Sequence, residues 1–241
     1  MQRYELKFLV DAQVKARLLQ AAAPGLRDDP NGDQGVYRVT SQYFDSPQHT
    51  ALTEKLDGVA LRRKLRVRFY GLAPARSYHL EIKARQNNLV SKHRLPLSPA
   101  TVAALLEDSA WNLPRLHQFT DLASLSVDER YLLAAIELQA AQQKLQATAV
   151  ISYLREAWVG RYDDHLRVTF DHQCEAFGPA DIESPGRVAG ASFLAPHQFI
   201  LETKFNHRIP AWLRDILALE GVMPVRFSKY AQGMLALAVP R

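Results

Sequence analysis

Residues Leu61–Tyr70 read LRRKLRVRFY, a stretch whose alternation is that of a β-strand. With side chains on alternating faces, Arg62, Lys64, Arg66 and Arg68 share one side and Leu61, Leu65, Val67 and Phe69 the other; only Arg63 breaks the division. At helical spacing the same basic residues scatter around the whole circumference. Same-face residues of a strand stand roughly 7 Å apart, so four cations line up along about 20 Å of one surface. Such a row repels itself and requires open water or a polyanion, while the apolar face anchors the strand in a core.

The pattern recurs along the chain. Residues 3–10 set Arg3, Glu5 and Lys7 opposite Tyr4, Leu6 and Phe8, and residues 78–85 set His79, Glu81, Lys83 and Arg85 opposite Tyr78, Leu80, Ile82 and Ala84. Residues 90–97 carry Lys92 and Arg94 on one side, residues 165–171 carry His165, Arg167, Thr169 and Asp171, and residues 198–206 bring Glu202 and Lys204 together. Strand signal also covers 36–44 and 147–159, the latter with Tyr153 and Arg155. Helices are expected at 11–23, capped by Asp11, at 99–107 behind Ser98-Pro99, at 127–145, at 210–219 and from Ser228 onward. Asn87-Asn88 suits a hairpin turn. Residues 27–35 and 178–196 read as loops, the second with room for a short strand, and 111–120 stays ambiguous.

About eight strands lead to an α+β expectation: a closed antiparallel eight-stranded tunnel barrel with a charged lumen and covering helices, as one domain over 1–241. For any strand taken singly, the alternative is the solvated face of an open antiparallel sheet. Solvated faces normally mix charge with Ser, Thr and Gln. Here Arg and Lys concentrate on several strands, with isolated Glu among them.

The 241 residues, 47% of them hydrophobic, can bury a sizeable core, and the formal charge of +5 points to an acidic partner or to no more than a basic surface. Cys174 is the single cysteine, which excludes an internal disulfide and fits a reducing, cytoplasmic setting. Charges at Arg3, Glu5 and Lys7 exclude a signal peptide at this amino terminus, and no apolar run reaches the roughly 20 residues of a membrane span. The eight histidines show no HxxxH pairing suited to zinc. No Gly-rich phosphate cradle occurs, so side chains would have to hold any nucleotide phosphates. Glu202, between Leu201 and Thr203, reads equally as a metal ligand or as the buried partner of Lys204.

Taken in order, RYELKF (3–8), YFD (43–45), KLRVR (64–68), EIK (81–83), RVTFD (167–171), LETK (201–204) and FSKY (227–230) resemble the polyphosphate polymerase domain of the vacuolar transporter chaperone (VTC) family, within the triphosphate tunnel metalloenzymes. The resemblance implies a tunnel that binds ATP and a divalent metal, Mn²⁺ or Mg²⁺, and guides growing polyphosphate through its lumen. It implies that Lys7, Arg66, Arg68, Lys83, Lys92, Arg155, Arg167 and Lys229 hold phosphate at the reaction centre. Arg3, Lys64, Arg94 and Lys204 are further lumen cations, Glu202 is the implied metal ligand, and Glu5 and Glu81 are candidate metal or water partners. Expected partners are ATP and polyphosphate, with no nucleic acid. The inositol-phosphate-sensing domain and membrane helices of the eukaryotic complex find no counterpart in the sequence, so a separate membrane subunit would have to couple synthesis to transport. Ser46 stands where the family more often has Thr, and His93 separates Lys92 from Arg94; neither removes a charge.

Overall fold

The computed structural model describes residues 4–86, 89–107 and 111–238. Its strands are β1 (Tyr4–Asp11), β2 (Leu26–Asp28), β3 (Val36–Asp45), β4 (Leu61–Tyr70), β5 (Tyr78–Gln86), β6 (Leu89–Leu97), β7 (Gln146–Gly160), β8 (Arg167–Phe177), β9 (Ala191–Ser192) and β10 (Gln198–Phe205). Its α-helices are α1 (Ala12–Ala22), α2 (Thr50–Leu56), α3 (Pro99–Glu107), α4 (Val127–Gln143), α5 (Ala211–Leu219) and α6 (Lys229–Ala238). Among the described residues the strands make one ten-stranded sheet in the order β1-β10-β8-β7-β3-β4-β5-β6, with β2 paired to β7 and β9 to β8. Every pairing along that order is antiparallel. None of the described helices is long and apolar enough to cross a membrane.

The alternation of the strands decides which face the helices cover. Leu65, Val67 and Phe69 of β4 join Leu80 of β5 and Leu95 of β6 in a core closed by Leu105 of α3 and by Leu133 and Ile136 of α4. On the other half, Phe8 and Val10 of β1, Val168 and Phe170 of β8 and Leu201 of β10 pack under Leu18 of α1 and Leu213 and Leu217 of α5. Both apolar faces therefore lie outward beneath helices, and the charged faces look at one another across the inside. They are not the solvated face of a flat sheet.

The expected closure into an eight-stranded barrel does not occur. The sheet remains open between β1 and β6, and two short strands, β2 and β9, raise the count to ten. The seam is filled by other means. Val225, ahead of α6, donates its backbone N–H to the Lys7 carbonyl of β1 at 2.7 Å, so the free edge of β1 is partly occupied by that segment. Across the gap, Lys83 of β5 reaches Glu5 of β1 at 3.0 Å. Lys92, Arg94 and Pro96 blunt the edge of β6.

A third cluster lies inside the curve of the sheet, where α6 packs on β7 and β8. Gly233 permits this approach, because a Cβ there would stand 2.2 Å from Ile151 Cδ1. The Tyr230 ring stacks on Tyr43 with centroids 4.8 Å apart, and its hydroxyl donates to Asp45 Oδ2 at 2.7 Å. Asp45 also accepts from the backbone N–H groups of Ala51 and Leu52, which starts α2. These contacts fix the amino end of α6, and with it Lys229, inside the sheet.

Several elements depart from the sequence reading. α2 and β2 were not expected, and β8 runs on to Phe177. It does so through an irregularity, with Gln173 in the left-handed region at φ 48°, that keeps Asp171 and Cys174 both buried. Residues 111–120 resolve into a 3-10 segment, Leu113–Phe119. Arg3 and the Asn87-Asn88 turn lie outside the described residues.

Candidate active site

Four carboxylates, the buried Glu81, Asp171 and Glu202 and the part-buried Glu5, organise the inward charges. Glu202 of β10 meets Lys7 of β1 at 3.1 Å, Lys204 at 2.9 Å, Lys229 of α6 at 2.7 Å and Arg155 of β7 at 3.2 Å. Beside it, Asp171 of β8 receives the Arg155 fork at 2.6 and 2.8 Å and Lys229 at 2.6 Å. Asp171 is 0% and Glu202 4% exposed. Burial opposes their charge, yet the surrounding lysines and Arg155 more than offset it and hold both carboxyls below the usual range. The same contacts hold Arg155 and Lys229 in their charged forms against burial.

Glu81 of β5 anchors a second group. Arg66 of β4 donates to one oxygen at 2.7 and 3.0 Å, and Lys92 and Arg94 of β6 reach the other at 2.6 and 3.0 Å. Arg66 also donates to the Tyr43 hydroxyl at 2.9 Å. Since three cations share this carboxylate, the weakest base yields. Burial, with Arg68 and Arg66 nearby, pushes Lys92 down to about 7 despite Glu81. Arg68 differs: it donates to Ser41 Oγ at 3.2 Å and the Tyr153 hydroxyl at 3.3 Å, and no carboxylate pairs with it among the described residues.

Glu5 lies between Lys7 at 3.3 Å and Lys83 at 3.0 Å, tying β1 to β5. Lys64 donates to Ser228 Oγ at 3.0 Å and sits over the Tyr230 ring. Burial, reinforced by Lys7, Lys55, Lys83 and Arg62, pushes Lys64 down to about 7. Arg167 is set apart from these groups, pairing with Asp29 at 3.3 Å. Sequence reading missed Asp29, and it missed the hydroxyls of Ser41 and Ser228 that hold cations without neutralising them. The charged-face alternation around Lys64, Arg66 and Arg68 and the FSKY motif were the signals toward these partners.

A divalent ion is best matched by Glu5 and Glu202. Both contact the one Lys7 ammonium, so two carboxylates from adjacent strands converge, and Mg²⁺-type sites use one or two carboxylates completed by water and phosphate oxygens. Glu81 does not join them. Its ion-pair partners, Arg66, Lys92 and Arg94, are shared with neither Glu5 nor Glu202, and no group of three or more Asp, Glu, His or Cys suited to a metal occurs among the described residues.

Lys64 and Lys92 impose a pH dependence. A lysine held near 7 in the folded protein binds fewer protons than its unfolded counterpart between that value and about 10. Ligand-free stability should therefore rise with pH from about 7 to about 8.5, above which the buried Cys174 thiol, pushed up to about 12, works in the opposite direction. Melting temperatures across that window check it; a flat or falling profile would show that the two ammonium groups are not desolvated.

A family model described as VTC domain matches residues 2–238. The chain belongs to the VTC domain family. Among solved structures, this VTC domain is similar to a Hippeastrum protein named as an adenylyl cyclase and described with a dominant triphosphatase activity. That match has 16% identity and a TM-score of 0.56, covering 99% of this chain and 97% of the other. It shows a shared fold. A Bacillus halodurans protein named as an adenylate cyclase is also similar, at 15% identity and a TM-score of 0.49, covering 93% and 94% of the two chains. No curated protein matches the sequence.

Proposed function

We propose that this VTC domain is a divalent-metal-dependent ATP:polyphosphate phosphotransferase, which moves the γ-phosphoryl group of ATP onto the end of a polyphosphate chain. The observation that carries the reading is the charge balance of the inward face. Among the described residues, Lys7, Lys64, Arg66, Arg68, Lys83, Lys92, Arg94, Arg155, Lys204 and Lys229 face only Glu5, Glu81, Asp171 and Glu202 as inward carboxylates. A polyanion is the ligand that completes such a surface.

Arg66, Arg68 and Arg155 offer guanidinium donors to phosphate oxygens, and Lys7 and Lys229 add point charges. Glu202 and Glu5 would hold Mg²⁺ or Mn²⁺, which when bound neutralises phosphate oxygens. A terminal oxygen of the acceptor chain forms the new bond to the γ-phosphorus, the bond from that phosphorus to the β–γ bridging oxygen breaks, and ADP leaves with the electron pair. The acceptor arrives already anionic, so no strong base is needed. That suits a lumen whose carboxyls are held too acidic to act as good bases.

Triphosphate hydrolysis in the same tunnel is the second reading, favoured by the triphosphatase activity described for the Hippeastrum protein. Water would then replace the chain end, with Glu5 or Glu81, each already ion-paired, as the carboxylate that positions it. In a module that only captured polyanions, Glu202 would serve no metal and would only hold Lys7, Arg155, Lys204 and Lys229 in place. Incubation with ATP and Mn²⁺ or Mg²⁺, followed by assay of ADP, orthophosphate and polymer, tests the proposal. ADP matched by polymerised phosphate is expected; orthophosphate without polymer indicates hydrolysis, and no turnover overturns the enzymatic reading.

Arg68 offers a clean test of the binding surface. Arg68→Ala should weaken metal-free tripolyphosphate binding about 10- to 100-fold, the worth of a charge-assisted hydrogen bond. The ligand-free melting temperature should stay level or rise, because no carboxylate loses its partner. Calorimetric titration and thermal melts check both halves; intact affinity would remove Arg68 from the substrate surface.

A further inference from the structure

Tyr70 closes the inward row of β4, following Lys64, Arg66 and Arg68 at two-residue spacing, in unbroken register with β3, where it stands opposite Val39. Its ring therefore leaves the same face one repeat, about 7 Å, beyond Arg68. It meets the ring of Tyr37 on β3 edge-on, with centroids 5.7 Å apart and planes at 73°. Tyr37 stands opposite Arg155 in the β3–β7 register, and Asp29 and Arg167 are its other charged neighbours. Whereas Arg68 is buried, Tyr70 remains 41% exposed. This end of the inward face thus carries two aromatic rings, one of them accessible, directly beside the guanidinium groups of Arg68 and Arg155.

We propose that Tyr70, braced by Tyr37, is the nucleobase platform of the donor nucleotide. The inference rests on the reading of the chain as an enzyme that takes a nucleoside triphosphate, and it adds where the nucleoside lies and what distinguishes ATP from a bare triphosphate. A base stacked on Tyr70 points its ribose along β4, and one strand repeat places the α-phosphate at Arg68 and the next places the outer phosphates toward Arg66. Stacking on an aromatic face tolerates every base, because each has a π-face, so the platform favours nucleotides over inorganic triphosphate without choosing strongly among bases. The T-shaped contact with Tyr37 holds the ring of Tyr70, whose exposed surface leaves room for a base.

The experiment measures dissociation constants of ATP and of linear tripolyphosphate, without metal and at one salt concentration, for the unaltered protein, Tyr70→Ala and Tyr70→Phe. Tyr70→Ala should raise the ratio of the ATP constant to the tripolyphosphate constant about tenfold, and Tyr70→Phe should keep the original ratio, since the hydroxyl takes no part in stacking. Tyr70→Thr, which suits a strand, reads the same ratio should the alanine variant unfold. An unchanged ratio in Tyr70→Ala or Tyr70→Thr overturns the platform while leaving triphosphate binding intact. Failure of the unaltered protein to bind either ligand overturns the enzymatic reading, and the platform with it.

Discussion

Asp171→Asn should lower the stability of the ligand-free protein by about 3–5 kcal/mol, the cost of removing one partner from a buried ion pair. Asp171 is fully buried and is the carboxylate that receives the Arg155 fork, with Lys229 as a further donor at 2.6 Å. Asparagine keeps the size of the side chain and one acceptor oxygen but cancels the charge, leaving Glu202 to balance both cations as well as Lys7 and Lys204. Tripolyphosphate should restore much of the loss, because ligand binding to the folded state adds stability and the ligand carries the missing negative charge. Urea unfolding with and without tripolyphosphate makes the comparison. Loss of stability without rescue would mean that Arg155 and Lys229 face the protein alone.

Glu202→Gln should have the largest effect on turnover, a loss on the order of 100-fold or more, with metal-free tripolyphosphate binding retained or strengthened. The substitution removes an anion from a cationic surface while nearly preserving shape. A structural role restricted to Lys204 does not fit, since Lys7, Arg155 and Lys229 also contact this carboxylate. Some destabilisation is expected for that reason, and activity should therefore be measured at saturating polyphosphate, where the fold is supported. Normal metal-dependent turnover in a folded Glu202→Gln protein would sink the assignment of Glu202 as metal ligand.

Much of this arrangement was legible in local pattern. The alternation of Leu61–Tyr70 gave both the strand and the side that Arg66 and Arg68 occupy, because periodicity is a property of near neighbours. Its repetition in β1, β5 and β10 was enough to bring Lys7, Lys83 and Glu202 to one inside surface. What local pattern does not carry is partnership over distance. Arg155 and Glu202 are 47 positions apart, Lys83 and Glu5 are 78, and Lys64 and Ser228 are 164. Nothing near Glu81 in sequence told that Arg66, Lys92 and Arg94 would take both its oxygens. The open seam escaped notice for the same reason, since it depends on Val225 reaching back to Lys7. α2 was missed because its start is secured by Asp45 and Ser46, side chains that precede it and read as the end of a strand.

The central claim is that the inward cations form the substrate surface, and Lys64 and Lys92 supply a direct readout of it. Each is pushed down toward about 7 in the ligand-free protein, Lys64 by its burial and Lys92 against its ion pair with Glu81, so at pH 8 neither carries its full charge. A polyanion laid along β4 and β6 restores their charge, and binding must then draw protons from solution. Calorimetric titration of the metal-free protein with tripolyphosphate at pH 8, in two buffers of different ionisation enthalpy, measures that uptake. One ligand per chain with net proton uptake is the predicted result. Binding with no proton uptake, or weak binding at several sites per chain, would contradict the account.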